Sequence, residues 1–248
     1  MKCKVEICVD SLQSAENAQV AGADRVELCS NLTEGGTTPS AGTIYSVRDN
    51  LSVRLHVIIR PRRGDFLYSD PEYDIMRRDI EICGECGVDG IVTGILRPDG
   101  TIDVERTARL AEMAYPMSLT FHRAFDLCPD PVQGLEDVVM TGAAWLLTSG
   151  QKDKVPDGAG LISKLVRQAG KRITILPGGG LDESNIAEMA RITGAREFNL
   201  TCRIIEESAM QFRRSGIRMG GFQESSEFSR KIADPWRIKK VIGILEMI

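Results

Sequence analysis

Short apolar runs alternate with helix-forming stretches along this whole chain, eight of each, with no Pro/Ser-rich linker between them. The strand-like runs are Lys4–Val9, Arg25–Cys29, Val53–Ile59, Gly90–Thr93, Met117–Phe121, Trp145–Thr148, Ile173–Leu176 and Glu197–Thr201. Helices are expected over Ser11–Ala21, from after Ser40 through Val47, and over Pro71–Cys86, Val104–Ala114, Pro131–Met140, Leu161–Ala169, Glu183–Ile192 and Pro235–Glu246. N-cap residues such as Asp10-Ser11 and stop glycines such as Gly22, Gly87, Gly142 and Gly194 bound several of them. A repeat of roughly 20 to 35 residues suits right-handed β-α-β crossovers. The simplest closure of eight such units is an α/β fold of the (β/α)8 barrel type, one domain over 1–248. A doubly wound open sheet is the alternative. It calls for a glycine-rich phosphate turn after strand one, where the chain reads Val9-Asp10-Ser11. Arg203 to Asp234, with Gly216, Gly220 and Gly221 among charged residues, reads as an excursion after strand eight that could fold over the top of the barrel.

In such a barrel, function sits at the carboxyl ends of the strands. Period-two alternation puts Glu6 with Cys8, Glu27 with Cys29, His56 with Ile58 and Arg60, and Thr120 with His122. The strings Val5-Glu6-Ile7-Cys8 and Val26-Glu27-Leu28-Cys29 are near copies, 21 residues apart. If these faces point inward, the mouth holds acids, thiols, an arginine and a histidine. Buried charges need mutual pairing, and the pairing read here sets Glu6 and Glu27 against Arg60. The seven cysteines are odd in number and scattered, which argues against a disulfide framework and for a reducing compartment. A net charge of −4 supplies no bulk attraction to nucleic acid. No apolar run approaches the roughly 18 to 20 residues that span a bilayer, and the start lacks a signal-peptide core, so a cytoplasmic location is expected.

Longer motifs surround these positions. Cys29 to Ser40 reads CSNLTEGGTTPS, Ile58 to Asp70 reads IIRPRRGDFLYSD, Thr120 to Asp126 reads TFHRAFD, Leu147 to Gln151 reads LTSGQ, and 177 to 180 read PGGG. Together they resemble the CutC copper homeostasis family over essentially the whole chain. That resemblance implies a (β/α) barrel, a cytoplasmic location and a role in copper handling, and it carries copper binding onto Cys8 and Cys29. One departure stands out: the family often has a histidine in the strand-eight segment, where this chain reads Glu197-Phe198-Asn199-Leu200.

Two chemistries fit the mouth. Soft thiolates on neighbouring strands, about 4.8 Å apart, suit copper(I). Such thiols could also close to a reversible disulfide. Alternatively the chain is an enzyme acting on an anionic small molecule, phosphate- or carboxylate-bearing. Its catalytic set would be Glu6, Glu27, Arg60 and His122, with His122 as acid or base. Arg60 and Arg62 would clamp the anion. Ser149, at the end of strand six, and the backbone of Gly178 and Gly179 would complete the ligand site, and residues Asp65 to Asp70 could cross the mouth. Cys83-Gly84-Glu85-Cys86 has CxxC spacing but ends a helix rather than starting one, so it reads as structural. Arg213 and Arg214 read as solvated surface or a subunit contact, which leaves a homo-oligomer open.

Overall fold

A strand buried on both faces needs apolar residues toward its covering helix and a compatible neighbour on the other side. The structure, a computed structural model, describes residues 3–217, 219 and 226–248. Eight parallel strands run β1 (Lys4–Val9), β2 (Arg25–Leu28), β3 (Arg54–Ile58), β4 (Gly90–Thr93), β5 (Ser118–Phe121), β6 (Trp145–Thr148), β7 (Thr174–Pro177) and β8 (Glu197–Leu200). Each pairs with its sequence neighbour, and β1 also pairs with β8. A parallel bridge from Gly178 to Asn199 joins the β7 side to β8, so the sheet closes into the expected (β/α)8 barrel. Helices α1 (Leu12–Ala21), α2 (Ala41–Asn50), α3 (Asp70–Glu85), α4 (Val104–Ala114), α5 (Pro131–Met140), α6 (Val155–Ala169), α7 (Ile186–Thr193) and α8 (Pro235–Glu246) interleave with the strands and cover the sheet.

The main apolar core lies between strands and helices. Val5, Ile7, Val26, Leu28, Leu55, Val57, Ile91, Leu119 and Phe121 point outward into it. The alternate residues face the barrel axis, where the filling is largely polar: Glu6, Arg25, Glu27, His56, Thr120 and Asn199 are all buried. Local signals fix the helix starts. At α3, Ser69 and Glu72 form a reciprocal capping box with Pro71 in the first turn.

α1 and α3 begin within one residue of the expected start, but two other helices begin well away from it. α6 starts six residues early, at Val155, with Pro156 in its first turn. Its Gly158 is there for contact: a Cβ on it would run into the Ser149 carbonyl. α7 starts at Ile186 instead of Glu183. Asp182 Oδ1 accepts from the Ser184 amide at 2.8 Å, and Asn185 Oδ1 from the Asp182 amide at 3.0 Å, so side chains take the turn ahead of the helix.

The excursion contains an antiparallel hairpin, β9 (Arg203–Glu207) with β10 (Ser229–Ala233). It lies along α1: Asn17 Nδ2 donates to the Ala233 carbonyl at 2.9 Å, and the Ala233 amide to Ser14 Oγ at 3.2 Å. None of its described residues lines the cavity at the barrel mouth. Gly220 and Gly221 lie outside the described residues. Among the described residues, no helix is long and apolar enough to cross a membrane.

Candidate functional site

The floor of the barrel is an ion-pair network. β1 and β2 set Glu6 beside Arg25. Arg25 Nε donates to Glu6 Oε2, and Arg25 Nη1 to Glu197 Oε2 at 3.2 Å. The guanidinium stacks 4.5 Å from the Trp145 ring, whose Nε1 also donates to Glu197. His56 packs edge-on against Trp145, and its Nδ1 is 4.0 Å from Glu6 Oε2. The expected pairing of Glu6 and Glu27 with Arg60 is thus wrong. Arg25 is the cation in register with Glu6, while Arg60 lies beyond the end of β3.

Above this floor sit the two copies of the repeated string, offset from one another. The register pairs Cys8 with Glu27 rather than with Cys29, so Cys29 stands one rung higher than Cys8. Diagonal placement still brings the thiols together, with Cys8 Sγ 3.5 Å from Cys29 Sγ. Cys8, Glu27 and Cys29 offer ligand atoms all within 4.8 Å of one another, each from a buried side chain. Asn199 Nδ2 bridges the carboxylates, donating to Glu6 Oε1 at 2.6 Å and Glu27 Oε2 at 2.8 Å. That amide occupies the strand-eight position where the resemblance led one to look for a histidine.

Environment drives the two acids apart. Burial acts against ionising Glu6, but Arg25, helped by His56 and Asn199, outweighs it and holds the carboxyl below its usual range. Burial, then the charge on Glu6, pushes Glu27 up to about 7 despite the Asn199 hydrogen bond. Cys8 is raised well above an ordinary thiol, first by its hydrogen bond to Cys29 and then by burial. Cys29 gains from that contact, yet burial and the nearby carboxylates carry it to about 11. Without a metal, both thiols are protonated at neutral pH.

The rim carries the positive side. β4 faces the axis with Gly90, and Gly94 follows directly after its last residue. A Cβ on Gly90 would sit 2.6 Å from His56 Nε2, and one on Gly94 would sit 2.7 Å from His122 Nδ1, so each imidazole rests on a glycine. His122 Nδ1 accepts from the Ala124 amide at 3.3 Å, which assigns the ring proton to Nε2. Burial, with the charge on Arg60, lowers His122 to about 3, so the ring is neutral. Arg60 spends its Nη donors on carbonyls: Glu34 at 3.0 Å, Gly36 at 2.7 Å and Gly64 at 2.9 Å. Phe66, from the segment expected to cross the mouth, packs against His122 at 4.8 Å and under Arg60 at 5.0 Å.

A cavity of about 260 Å³ lies between thiols and rim. Its lining includes Cys8, Glu27, Cys29, Arg60, Phe66, His122, Arg123, Gly178, Gly179 and Asn199. The structure therefore gathers most of the expected residues. Glu6 lies beneath the cavity, bound to Arg25. Arg62 is held elsewhere, on Glu72, Asp65 and the Leu67 carbonyl. Ser149 is bound up with Asp126, Arg123 and the Lys152 carbonyl and does not line the cavity. Arg62 is thus not placed to clamp an anion in the cavity beside Arg60, nor Ser149 to complete the ligand site. The reading missed Arg25, although Arg25 alternates onto the same face as Glu27, and it missed Arg123 as a lining residue.

The model of the CutC family matches residues 3–204 of this chain. A family protein CutC from Chromobacterium violaceum is 52% identical over 216 residues, covering 87% of each chain. The human copper homeostasis protein cutC homolog is 43% identical over 244 residues, 98% of this chain and 89% of its own. Among solved structures, a CutC from Streptococcus agalactiae superposes with a TM-score of 0.76 at 34% identity, covering 79% of this chain and 97% of that one.

Proposed function

The chain belongs to the CutC family, and we propose that it handles copper in the cytoplasm by binding Cu(I) between Cys8 and Cys29. The observation that carries this is the buried thiol pair, 3.5 Å apart at the base of the cavity. Two soft donors at that spacing suit a monovalent soft cation, and the donor set is poor for harder ions. Glu27 is a third donor within reach, but a carboxylate adds little affinity for Cu(I). The name of the human relative, a copper homeostasis protein, supports the same reading. So do the seven cysteines, all free and buried, as in a chain kept in a reducing compartment.

Anaerobic Cu(I) titration against a competing chelator tests it. Cys8→Ser/Cys29→Ser should weaken binding on the order of 100-fold or more, about 2.7 kcal/mol, while Glu27→Gln should stay within roughly tenfold of wild type. Equal affinity in wild type and the double variant would remove the reading.

A second reading is favoured by one observation, that Glu6 and Glu27 share Asn199 yet are shifted in opposite directions, Glu6 down beside Arg25 and Glu27 up by burial and the charge on Glu6. Such a split is how paired carboxyls divide acid and base roles. On this reading the chain is an enzyme acting on a small anionic molecule, with Glu27 facing the substrate and Arg60 and His122 binding it. Turnover lost in Glu27→Gln but kept in Cys8→Ser/Cys29→Ser would separate it from the copper reading.

A further inference from the structure

Arg60 poses an unanswered electrostatic question. Its guanidinium is permanently charged, the residue is only 5% exposed, and among the described residues it has no carboxylate partner within 4.0 Å. Three neutral carbonyls and the face of Phe66 solvate it. They orient the charge without cancelling it. Arg25, the other buried arginine of the barrel, shows the contrast: it holds two carboxylates. Buried charges are ordinarily paired, because isolation in low dielectric is costly.

A second orphan lies beside it. His122 is 4% exposed, and its Nε2 has no hydrogen-bond partner, nor has Arg60 Nε. The tautomer fixed by Ala124 makes Nε2 an N–H donor, and both residues line the cavity. Arg123 adds a third, more exposed group. Its Nε and Nη2 are taken by Asp126 and Ser149, while Nη1 lies over Gly179 in the cavity wall. Glu27 is the carboxylate lining the same cavity, and it already accepts from Asn199 Nδ2 at 2.8 Å. Leu32, Ile58, Phe66, Leu147 and Leu181 supply apolar walls, beside the polar Asn199 and Thr201.

We propose that this cavity binds a small organic anion, its carboxylate or phosphate group placed against Arg60 and His122 Nε2–H, with Arg123 at the entrance and the apolar remainder against the leucines and Phe66. The ligand supplies the countercharge that the fold leaves out for Arg60 and the acceptor that it leaves out for His122. At about 260 Å³ the cavity limits that ligand to a small metabolite rather than a nucleotide or peptide. This deepens the enzyme reading by naming the groups that hold the anion. It does not require turnover, and copper is no part of it.

The test uses the metal-free full-length protein, with thermal unfolding followed as inorganic phosphate, or separately benzoate, is added at ionic strength fixed with sodium chloride. A saturable rise in midpoint is expected with at least one probe, and which one it is tells phosphate from carboxylate. His122→Phe should weaken the apparent affinity by about tenfold, the scale of one charge-assisted hydrogen bond. Arg60→Met should abolish the response, and because Arg60 also ties down three carbonyls, His122→Phe provides the decision if Arg60→Met does not fold. Arg172→Gln, at a surface pair with Glu136, should respond as wild type. No rise beyond that given by chloride, or an equal rise in His122→Phe, would overturn the proposal. Anion binding with a Cu(I) affinity unchanged in Cys8→Ser/Cys29→Ser, or anion binding without any turnover, would leave it standing while the copper or the enzyme reading fell.

Discussion

Arg25 shows how a single residue can govern the barrel axis. It neutralises Glu6 and Glu197 and stacks on Trp145, from a position almost wholly out of water. Arg25→Met strands two carboxylates, and breaking a buried pair in this way costs about 3–5 kcal/mol. Removing Glu6 as well, in Arg25→Met/Glu6→Leu, should recover a large part of that loss. Urea denaturation of both variants checks it, and equal losses in the single and the double would show that the pair is not the coupled unit described. At this scale the sequence was informative about side-chain direction and poor about partners. Period-two alternation placed Glu6, Cys8, Glu27, Cys29 and His122 correctly, because a strand has only two faces. It assigned Glu6 the wrong arginine, because pairing depends on the register between strands, and register comes from barrel closure rather than from local pattern.

Among the elements, β4 matters most for the site, and it does so through what it lacks. Gly94 makes room for the His122 ring and Gly90 for that of His56. Gly94→Ala should cost about 1–3 kcal/mol by overpacking and should weaken anion binding with it. Gly243→Ala, in α8 with no atom in the way, should instead stabilise by about 0.5–1 kcal/mol. Chemical denaturation of the two side by side distinguishes steric need from helix propensity. Strand and helix order was legible throughout, since apolar runs and caps are local signals. The start of α6 was not: Gly158 looks like a helix breaker until the Ser149 carbonyl pressed against it is seen, and that contact depends on how the turn between β6 and α6 folds back.

Over the whole molecule, pH acts through the chain's two histidines, and both are buried. Burial lowers His56 to about 4 and His122 to about 3. Between those values and the ordinary 6.5, the unfolded chain binds protons that the folded chain refuses, so stability is full above about pH 6.5 and falls on acidification. By pH 4.5 each histidine should have withdrawn about 2–3 kcal/mol. Glu27, raised to about 7, works in the opposite sense, favouring the fold as pH drops from 7 toward 4.5. The histidine part is therefore read as a difference: the urea midpoint of His122→Phe should fall less steeply from pH 7 to 4.5 than that of wild type. Parallel slopes would mean that His122 binds its proton as readily in the folded as in the unfolded chain. The barrel itself was evident from eight unbroken alternations, because few topologies close that number of parallel strands. The resting place of the β9–β10 hairpin was not, since nothing local tells a surface hairpin which helix it will lie along.

The offset between the two repeated strings has a consequence for shelf life. With Cys29 one rung above the residue opposite Cys8, the two α-carbons are diagonal neighbours. Strand spacing and rise put them roughly 8 Å apart, beyond the span of about 4.4–6.8 Å that a relaxed disulfide accepts. On the copper reading, two sulfurs can thus meet at a shared ion without being able to join comfortably to each other. A pair in direct register would close to a covalent bond on exposure to air, whereas this one is held open by a mismatch of one step in the weave.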